Sequence, residues 1–158
     1  MDACINELLT DNQMEKKYWA IVRGFTNDDG TIDYPLRKEN GNLQDAVTHF
    51  RTLGRAELAL PSGKHDTSRY SLVEALPVTG RMHQIRKHFA HIFHPIIADR
   101  PHGCNKQNKL WKDRFQMDTM MLHAHSLNFM HPRTKQRIFI QAPLQSAFVR
   151  VMQLLDLE

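Results

Sequence analysis

The segment of residues 79–93 constrains the fold of this chain more than any other. Its apolar residues recur at helical spacing: Met82, Ile85, Phe89 and Phe93. This spacing predicts a helix with one apolar stripe that packs against the rest of the protein. Thr79 is a favourable N-cap, and His94 precedes Pro95, which disfavours the α conformation and predicts that the helix ends near Phe93.

Arg86 lies on the apolar stripe of this predicted helix, beside Phe89, because each residue advances about 100° around the axis. By the same projection, three polar residues point away from the stripe: Gln84, Lys87 and His91. A guanidinium held against apolar side chains is costly unless an anion satisfies it. We therefore predict that Arg86 is partly buried and has an anionic partner; the alternative is that it reaches the edge and meets a surface glutamate.

The remaining segments predict an α+β fold. Strand-like patterns occupy residues 18–25, 46–60, 68–76, 122–130 and 137–141. Helical patterns occupy residues 108–115 and 144–155, and residues 96–108 are predicted to form a long loop. With 158 residues, 41% of them hydrophobic, and no repeat or linker, residues 1–158 are predicted to form a single domain with one core.

The composition favours a polyanionic partner and a reducing compartment. Lys and Arg number 21 against 17 Asp and Glu, which gives a net charge of +4 and a pI near 9.2. This balance suits nucleic acid. Cys4 and Cys104 lack the spacing of a metal site or a disulfide framework, which favours free thiols and a cytoplasmic protein. Neither a bilayer-spanning apolar stretch nor a signal-peptide pattern is present.

The run from Gly80 to His88 resembles the Gly-Arg-x-His-Gln-(Ile/Leu)-Arg-x-His signature of the RluA family of RNA pseudouridine synthases. Two more of that family's motifs follow its order: the strand around Tyr18, and Leu122-His123-Ala124. The resemblance implies the pseudouridine synthase catalytic fold, with a mixed, mainly antiparallel β-sheet and flanking helices. It covers the C-terminal part of that catalytic domain, so we expect the N-terminal portion to be absent.

The stretch after the predicted helix resembles the branch of this family that modifies transfer RNA. It contains His94-Pro95-Ile96-Ile97, then Asp99, and then His102-Gly103, where most other branches have Tyr in place of His102. One residue departs from the family pattern, because Ala98 stands where a glycine usually precedes the aspartate. This departure leaves the conformation of the loop after Ile97 open.

The resemblance implies a cofactor-independent isomerisation of uridine to pseudouridine in RNA, with tRNA as the expected partner. The target base is flipped out of its helix, as any enzyme that reaches such a base requires, and an aspartate attacks the nucleotide. By motif match, Arg86 pairs with that catalytic aspartate, while Tyr18 stacks on or hydrogen-bonds to the flipped base. The alternative for Tyr18 is a half-buried core tyrosine.

Further substrate contacts follow from the same motifs. Ile85 is expected to form an apolar wall of the pocket, although packing alone also accounts for it. Arg81 and Lys87 are expected to contact phosphates, more so than the basic residues after the loop: Lys106, Lys109, Lys112 and Arg114. The remaining substrate-binding candidates are His83, Leu122 and His123. We expect neither a cofactor nor a metal.

The nucleophile is expected in a His-Arg-Leu-Asp segment upstream of Lys16, and nothing there resembles it. Neither Asp2 nor Asp11 has that context, and the other acids weighed are poor substitutes: Asp45, Asp66 and Asp99. We therefore predict that this chain provides no acid for Arg86 and does not isomerise uridine by itself. A missing N-terminal segment or a partner chain is expected to bring the aspartate and to cover an exposed sheet edge beside residues 18–25.

Three other interpretations of the chain are considered. The first is a noncatalytic RNA-binding module, the second is half of a split enzyme, and the third is a zinc-dependent hydrolase. The zinc interpretation rests on four histidines: His83, His88, His91 and His94. They lack a His-Glu-x-x-His pattern and lie on different helical faces.

Overall fold

A computed structural model describes residues 14–62 and 64–157, and its main element is a six-stranded antiparallel sheet in the order β2-β5-β6-β1-β7-β8. The strands are β1 (Glu15–Arg23), β2 (Asp29–Asp33), β5 (Val47–Leu58), β6 (Ser68–Pro77), β7 (Leu122–Met130) and β8 (Arg137–Gln141). A small hairpin pairs β3 (Leu36–Arg37) with β4 (Leu43–Gln44). The helices are α1 (Gln84–His91), α2 (Asn105–Phe115) and α3 (Ser146–Leu154). The predicted α+β class with a mainly antiparallel sheet is confirmed.

β1 is a central strand of the sheet. It pairs with β6 on one side and with β7 on the other. Its middle residues, Ala20, Ile21 and Val22, are fully buried, because a central strand is covered on both faces. The expected open edge beside residues 18–25 is therefore wrong: β2 and β8 are the outer strands.

The two faces of the sheet are covered by different helices. Tyr18, Ala75 and Phe50 occupy matching positions on β1, β6 and β5, so they share one face. The ring of Phe50 meets that of Phe89 at 5.5 Å, which places α1 over this face. On the opposite face, Tyr70 packs against Trp111 of α2 at 5.5 Å.

α1 is shorter than the sequence predicted. It begins at Gln84, after His83 in a left-handed conformation with φ 54°, and residues 79–83 form a loop. Thr79 therefore does not cap the helix; its hydroxyl donates to Gln84 Oε1 and accepts from the Val47 N–H. Since Met82 and Phe93 lie outside the helix, they are 62% and 87% exposed, and the apolar stripe consists of Ile85 and Phe89.

Other element bounds follow the predictions closely where the local pattern is strong. β7 and β8 have the predicted bounds, and α3 lies within the predicted residues 144–155. α2 begins three residues earlier than predicted, at Asn105, so the loop before it is shorter. β2, β3 and β4 were not predicted. No helix in the described part of the chain is long and apolar enough to cross a membrane.

Candidate active site

Arg86 makes a two-point ion pair with Asp99. Its Nε donates to Asp99 Oδ2 at 3.0 Å and its Nη2 donates to Oδ1 at 2.9 Å. The Asp99 side chain is 1% exposed and that of Arg86 is 15% exposed. The predicted partial burial and anionic partner of Arg86 are confirmed, whereas the prediction that the chain provides no acid for it is wrong.

The loop that carries Asp99 is held in place by α2 and by a close backbone contact. The Asn108 side chain accepts from the Ala98 N–H at 2.7 Å and donates to the Asp99 carbonyl at 3.0 Å. The His102 N–H approaches Asp99 Oδ1 at 3.3 Å. Only glycine fits at position 103, because a Cβ there would collide with the Asp99 carbonyl oxygen. These contacts aim the carboxylate at α1.

The backbone at Ala98 has a conformation that suits glycine, the residue that the family resemblance implies at this position. Its φ is +65°, in the left-handed region that L-residues adopt at a cost and that glycine adopts freely. The alanine is accommodated here, and Asp99 still reaches Arg86. The alanine therefore lies in a strained conformation, and the adjacent carboxylate keeps its two hydrogen bonds to Arg86.

The ion pair is charged at neutral pH. Burial by itself raises the pKa of the Asp99 carboxyl, but the hydrogen bonds from Arg86 and the His102 N–H outweigh burial, and the net shift is downward. The hydrogen bond to Asp99 raises the pKa of Arg86. Asp99 accepts hydrogen bonds from Nε and Nη2 of Arg86, and within the described residues Nη1 of Arg86 has no hydrogen bond. That nitrogen is available to a second acceptor.

The side of α1 that faces the sheet carries a neutral hydrogen-bond chain. Gln84 Nε2 donates to Thr48 Oγ1 at 2.9 Å, and Thr48 Oγ1 lies 2.7 Å from His88 Nδ1. His88 Nε2 lies 2.9 Å from the Tyr34 carbonyl oxygen. Because a carbonyl can only accept, Nε2 donates to it and Nδ1 accepts from the Thr48 hydroxyl. Burial lowers the pKa of His88, which keeps the imidazole neutral.

This chain of hydrogen bonds changes the interpretation of the motif. Gln84 is buried rather than directed away from the stripe, because the helix begins at this residue. His88 was a metal candidate by sequence, and its two ring nitrogens are both occupied by protein partners. In the described part of the chain, no cluster of three or more His, Cys, Asp or Glu residues is placed to hold a metal ion.

Tyr18 borders a small hollow over β1, β7 and β8. The hollow has a volume of about 220 Å³, and its lining includes Ala124, Leu127 and Ile140. Burial raises the pKa of the Tyr18 phenol, so the hydroxyl stays protonated at neutral pH. No group in residues 14–62 and 64–157 hydrogen-bonds to that hydroxyl, which leaves it able to donate to a ligand.

The apolar and histidine candidates divide between the two sheet faces. Ile85 belongs to the buried core, and Tyr18 and Leu122 pack against that core. His123 pairs with Trp19 rather than with Tyr18, so it lies on the opposite face. It is buried there, with its ring 6.1 Å from that of Phe148 in α3. We therefore leave His123 out of the substrate surface that we propose.

The polar candidates surround the start of α1. Arg81 and Lys87 are half-buried, and the Arg81 Nε donates to the Asp45 carbonyl at 2.8 Å. His83 is exposed, with its Nδ1 3.2 Å from His102 Nε2. Burial lowers the pKa of His102, which favours the neutral form of that ring.

Residues 2–91, more than half of the chain, match the sequence profile of the RNA pseudouridylate synthase family. The chain belongs to this family. The match includes the Gly80–His88 motif and the strand that carries Tyr18, which together border the site described above.

Several relatives share this sequence over most of its length. The tRNA pseudouridine synthase C of Vibrio cholerae is 41% identical over 152 residues, which cover 89% of this chain and 62% of that protein. The protein of the same name from Salmonella typhi is 42% identical, with 89% of this chain and 58% of that protein covered. The chain therefore spans about 60% of the length of these relatives.

Two human structures have a similar fold. RNA Pseudouridylate Synthase Domain Containing 4 superposes with a TM-score of 0.72 at 25% identity, and covers 98% of this chain and 67% of its own. RNA Pseudouridylate Synthase Domain Containing 1 gives a TM-score of 0.70 at 22% identity, with 98% of this chain and 70% of its own covered. At 22% identity, the similarity to Domain Containing 1 is evidence for the fold alone.

Proposed function

We propose that this chain forms part of a tRNA pseudouridine synthase and that a flipped uridine enters on the α1 side of the sheet. The observation that carries the proposal is the pair of unused hydrogen-bond groups on this side. The Tyr18 hydroxyl and Arg86 Nη1 have no partner in the described part of the chain, although both side chains are otherwise held by packing or by an ion pair. A preorganised donor of this kind suits a site that binds developing charge.

The proposed roles combine these donors with the chemistry that the family resemblance implies. A catalytic aspartate attacks the nucleotide, the bond between C1′ and N1 of uracil breaks, and the base rotates and rejoins C1′ through carbon. Arg86 Nη1 donates to the attacking carboxylate and keeps it ionised. Tyr18 contacts the uracil and assists the movement of the proton from its C5 atom, and Ile85 and Leu122 supply apolar contacts. This sequence of steps uses no cofactor.

Asp99 does not serve as the nucleophile in this proposal. Both of its oxygens accept hydrogen bonds from Arg86, and it is 1% exposed. The 158 residues contain no His-Arg-Leu-Asp segment. We propose that the aspartate comes from additional polypeptide or from a partner chain and that the 158 residues by themselves form no pseudouridine.

The substrate class follows the names of the relatives, which are tRNA pseudouridine synthases, together with the net charge of +4. Cys104 is a free thiol. We therefore propose that the protein acts on tRNA in the cytoplasm, where thiols stay reduced.

The test is a comparison of three proteins incubated with unmodified tRNA and mapped for pseudouridine. The chain alone is expected to give no product. The chain fused to the part of the V. cholerae relative that it does not match is expected to give product, and the same fusion with Arg86→Gln is expected to give at least a hundredfold less. Lys112→Gln, a change of equal charge on α2, is the control and is expected to have little effect.

Two outcomes contradict the proposal. Product from the chain alone means that the catalytic acid is present within these 158 residues. A fusion that folds and binds tRNA but forms no product favours the noncatalytic RNA-binding module.

A further inference from the structure

The β3–β4 hairpin and the start of α1 enclose a groove of about 410 Å³. Four of its lining side chains are cationic: Arg37, Lys38, Arg81 and Lys87. We call this surface the basic groove. Glu39 is its one acidic lining residue, so the groove has an excess of three positive charges if all are ionised. The hairpin had no place in the predictions from sequence, and nothing in the proposed chemistry uses it.

Two cations of the basic groove, Arg37 and Arg81, are held by backbone carbonyls. Within the described residues, none of its four cations forms an ion pair. Arg37 Nη1 instead donates to the Gly41 carbonyl at 2.6 Å, and Arg81 Nε donates to the Asp45 carbonyl at 2.8 Å. A carbonyl fixes the position of a guanidinium without cancelling its charge. Two positioned guanidinium groups with free N–H donors match phosphate oxygens.

Three arginines of the main sheet are arranged differently. Arg51, Arg55 and Arg69 each form an ion pair with a carboxylate, at 3.2, 2.7 and 2.6 Å. These pairs lie on the sheet and in its loops, away from the hairpin. Within the described residues, Arg37 and Arg81 therefore differ from these three arginines, because each is held by a backbone carbonyl and has no carboxylate partner.

The basic groove leads toward Tyr18. Gly80 precedes Arg81, and a Cβ at Gly80 would lie 3.5 Å from Lys16 Nζ. Lys16 and Tyr18 line the same hollow. The cationic surface is therefore continuous from the hairpin, past the start of α1, to the hollow that we propose for the flipped base.

We propose that the basic groove binds the phosphates of the RNA strand beside the flipped nucleotide, and that the β3–β4 hairpin is part of the RNA-binding surface. The identity of the polyanion as RNA rests on the proposed function. A cleft with an excess of one charge attracts the opposite charge and concentrates it. Phosphate contacts of this kind set position and affinity without reading sequence.

The experiment measures the affinity of the 158-residue chain for unmodified tRNA by fluorescence anisotropy at several salt concentrations. The test variant is Arg37→Gln with Lys38→Gln, and both residues are exposed. The matched control is Lys109→Gln with Lys112→Gln on α2, which removes the same charge at a distance from the groove. The charge-preserving variant Arg37→Lys with Lys38→Arg is the rescue, and circular dichroism checks that each variant is folded.

The test variant is expected to bind tRNA about tenfold more weakly at 0.1 M salt, and the slope of log K against log salt is expected to fall in magnitude by about 2, or about 1 for each phosphate that is no longer bound. The control is expected to change affinity by less than about twofold, and the rescue variant is expected to bind nearly as the unchanged chain does. Equal losses in the test and control variants overturn the proposal, because net charge then explains both. Unchanged binding of the test variant also overturns it.

The test is separate from that of the isomerase proposal, because it measures binding rather than product. If the hairpin variant loses affinity while the fusion protein forms no pseudouridine, the basic groove stands and the isomerase proposal fails. If the fusion forms product but the hairpin variant binds normally, only the groove proposal fails. Binding to phosphatidylglycerol vesicles as tight as that to tRNA overturns the assignment of RNA as the partner.

Discussion

The two sides of α1 are built from one nine-residue motif, but they satisfy their polar groups in opposite ways. On the side facing the sheet, Gln84 and His88 join Thr48 in a neutral chain of hydrogen bonds that is complete within the protein. On the other side, Arg86 is charged and is held by Asp99, and its Nη1 has no hydrogen bond to any residue that the structure describes. The side with Gln84 and His88, which we call the closed side, fixes the helix on the sheet. The side with Arg86, which we call the charged side, keeps one donor for a ligand.

The largest effect is expected from Asp99→Asn on the charged side. The variant leaves the Arg86 guanidinium charged and mostly buried without a counter-ion. Breaking a buried pair from one side typically costs about 3–5 kcal/mol. Because the arginine side chain keeps 15% of its exposure, we expect a loss of about 2–4 kcal/mol in the free energy of unfolding, measured by urea denaturation.

The double variant Arg86→Gln with Asp99→Asn is the control for this prediction. It removes both charges, so it is expected to be less destabilised than the sum of the two single variants. Strictly additive effects would mean that the two side chains do not stabilise each other. In that case, the charged side would resemble an ordinary exposed ion pair.

A smaller loss, about 2 kcal/mol, is expected from Thr48→Val on the closed side. Valine has nearly the shape of threonine, but it leaves His88 Nδ1 without a hydrogen-bond donor in a buried site. Gln84 Nε2 loses one acceptor and keeps the Val47 carbonyl. A buried polar group without a partner typically costs about 1–3 kcal/mol. Urea denaturation measures the change.

Thr31→Val provides the matched comparison for Thr48→Val. Thr31 also contacts a histidine Nδ1, that of His49 at 2.8 Å, but this pair is exposed. Water replaces the lost hydrogen bond there, so a change of less than about 0.5 kcal/mol is expected. If both threonine variants lose the same stability, burial is not what distinguishes the closed side.

The local part of this arrangement was predictable from sequence. Local sequence patterns located β1, β5, β6, β7 and β8. Aromatic and β-branched residues indicated β1, and alternation of side chains indicated β5, whose faces differ in burial. The helical projection placed Arg86 in a partly buried position. It failed for Gln84, since a projection assumes that the helix is already formed, and residues 79–83 are a loop.

The nonlocal part was not predictable from spacing. Thr48 and Gln84 are 36 residues apart, and their contact depends on how α1 lies on β5. Asp99 reaches Arg86 because the chain reverses after α1 and Asn108 holds the loop. The β3–β4 hairpin has strands of two residues each, too short to produce a periodic signal.

The two sides of α1 are also expected to affect the free energy of unfolding in different pH ranges, with a smaller effect than the substitutions above. Burial lowers the pKa of His88 below 6.5 in the folded chain. Between that lowered pKa and 6.5, the unfolded chain binds a proton that the folded chain does not, so stability falls as pH falls below 6.5. The pKa of Asp99 is lowered below 3.8, and by the same linkage its contribution is lost only as pH falls below 3.8.

Unfolding free energies measured between pH 8 and pH 3 check this separation, together with an NMR titration that resolves the His88 ring. Asp99→Asn is expected to keep the decline that begins near pH 6.5 and to weaken the one at more acidic pH, to which Glu57 also contributes because the hydrogen bond from Arg69 lowers its pKa. His102 and His125 also have lowered pKa values caused first by burial, so the NMR signal is needed to assign the share of His88. If the His88 ring titrates at or above pH 6.5, its buried site accommodates the charged imidazolium. The proposed difference between the neutral side of α1 and the side that carries Arg86 would then be wrong.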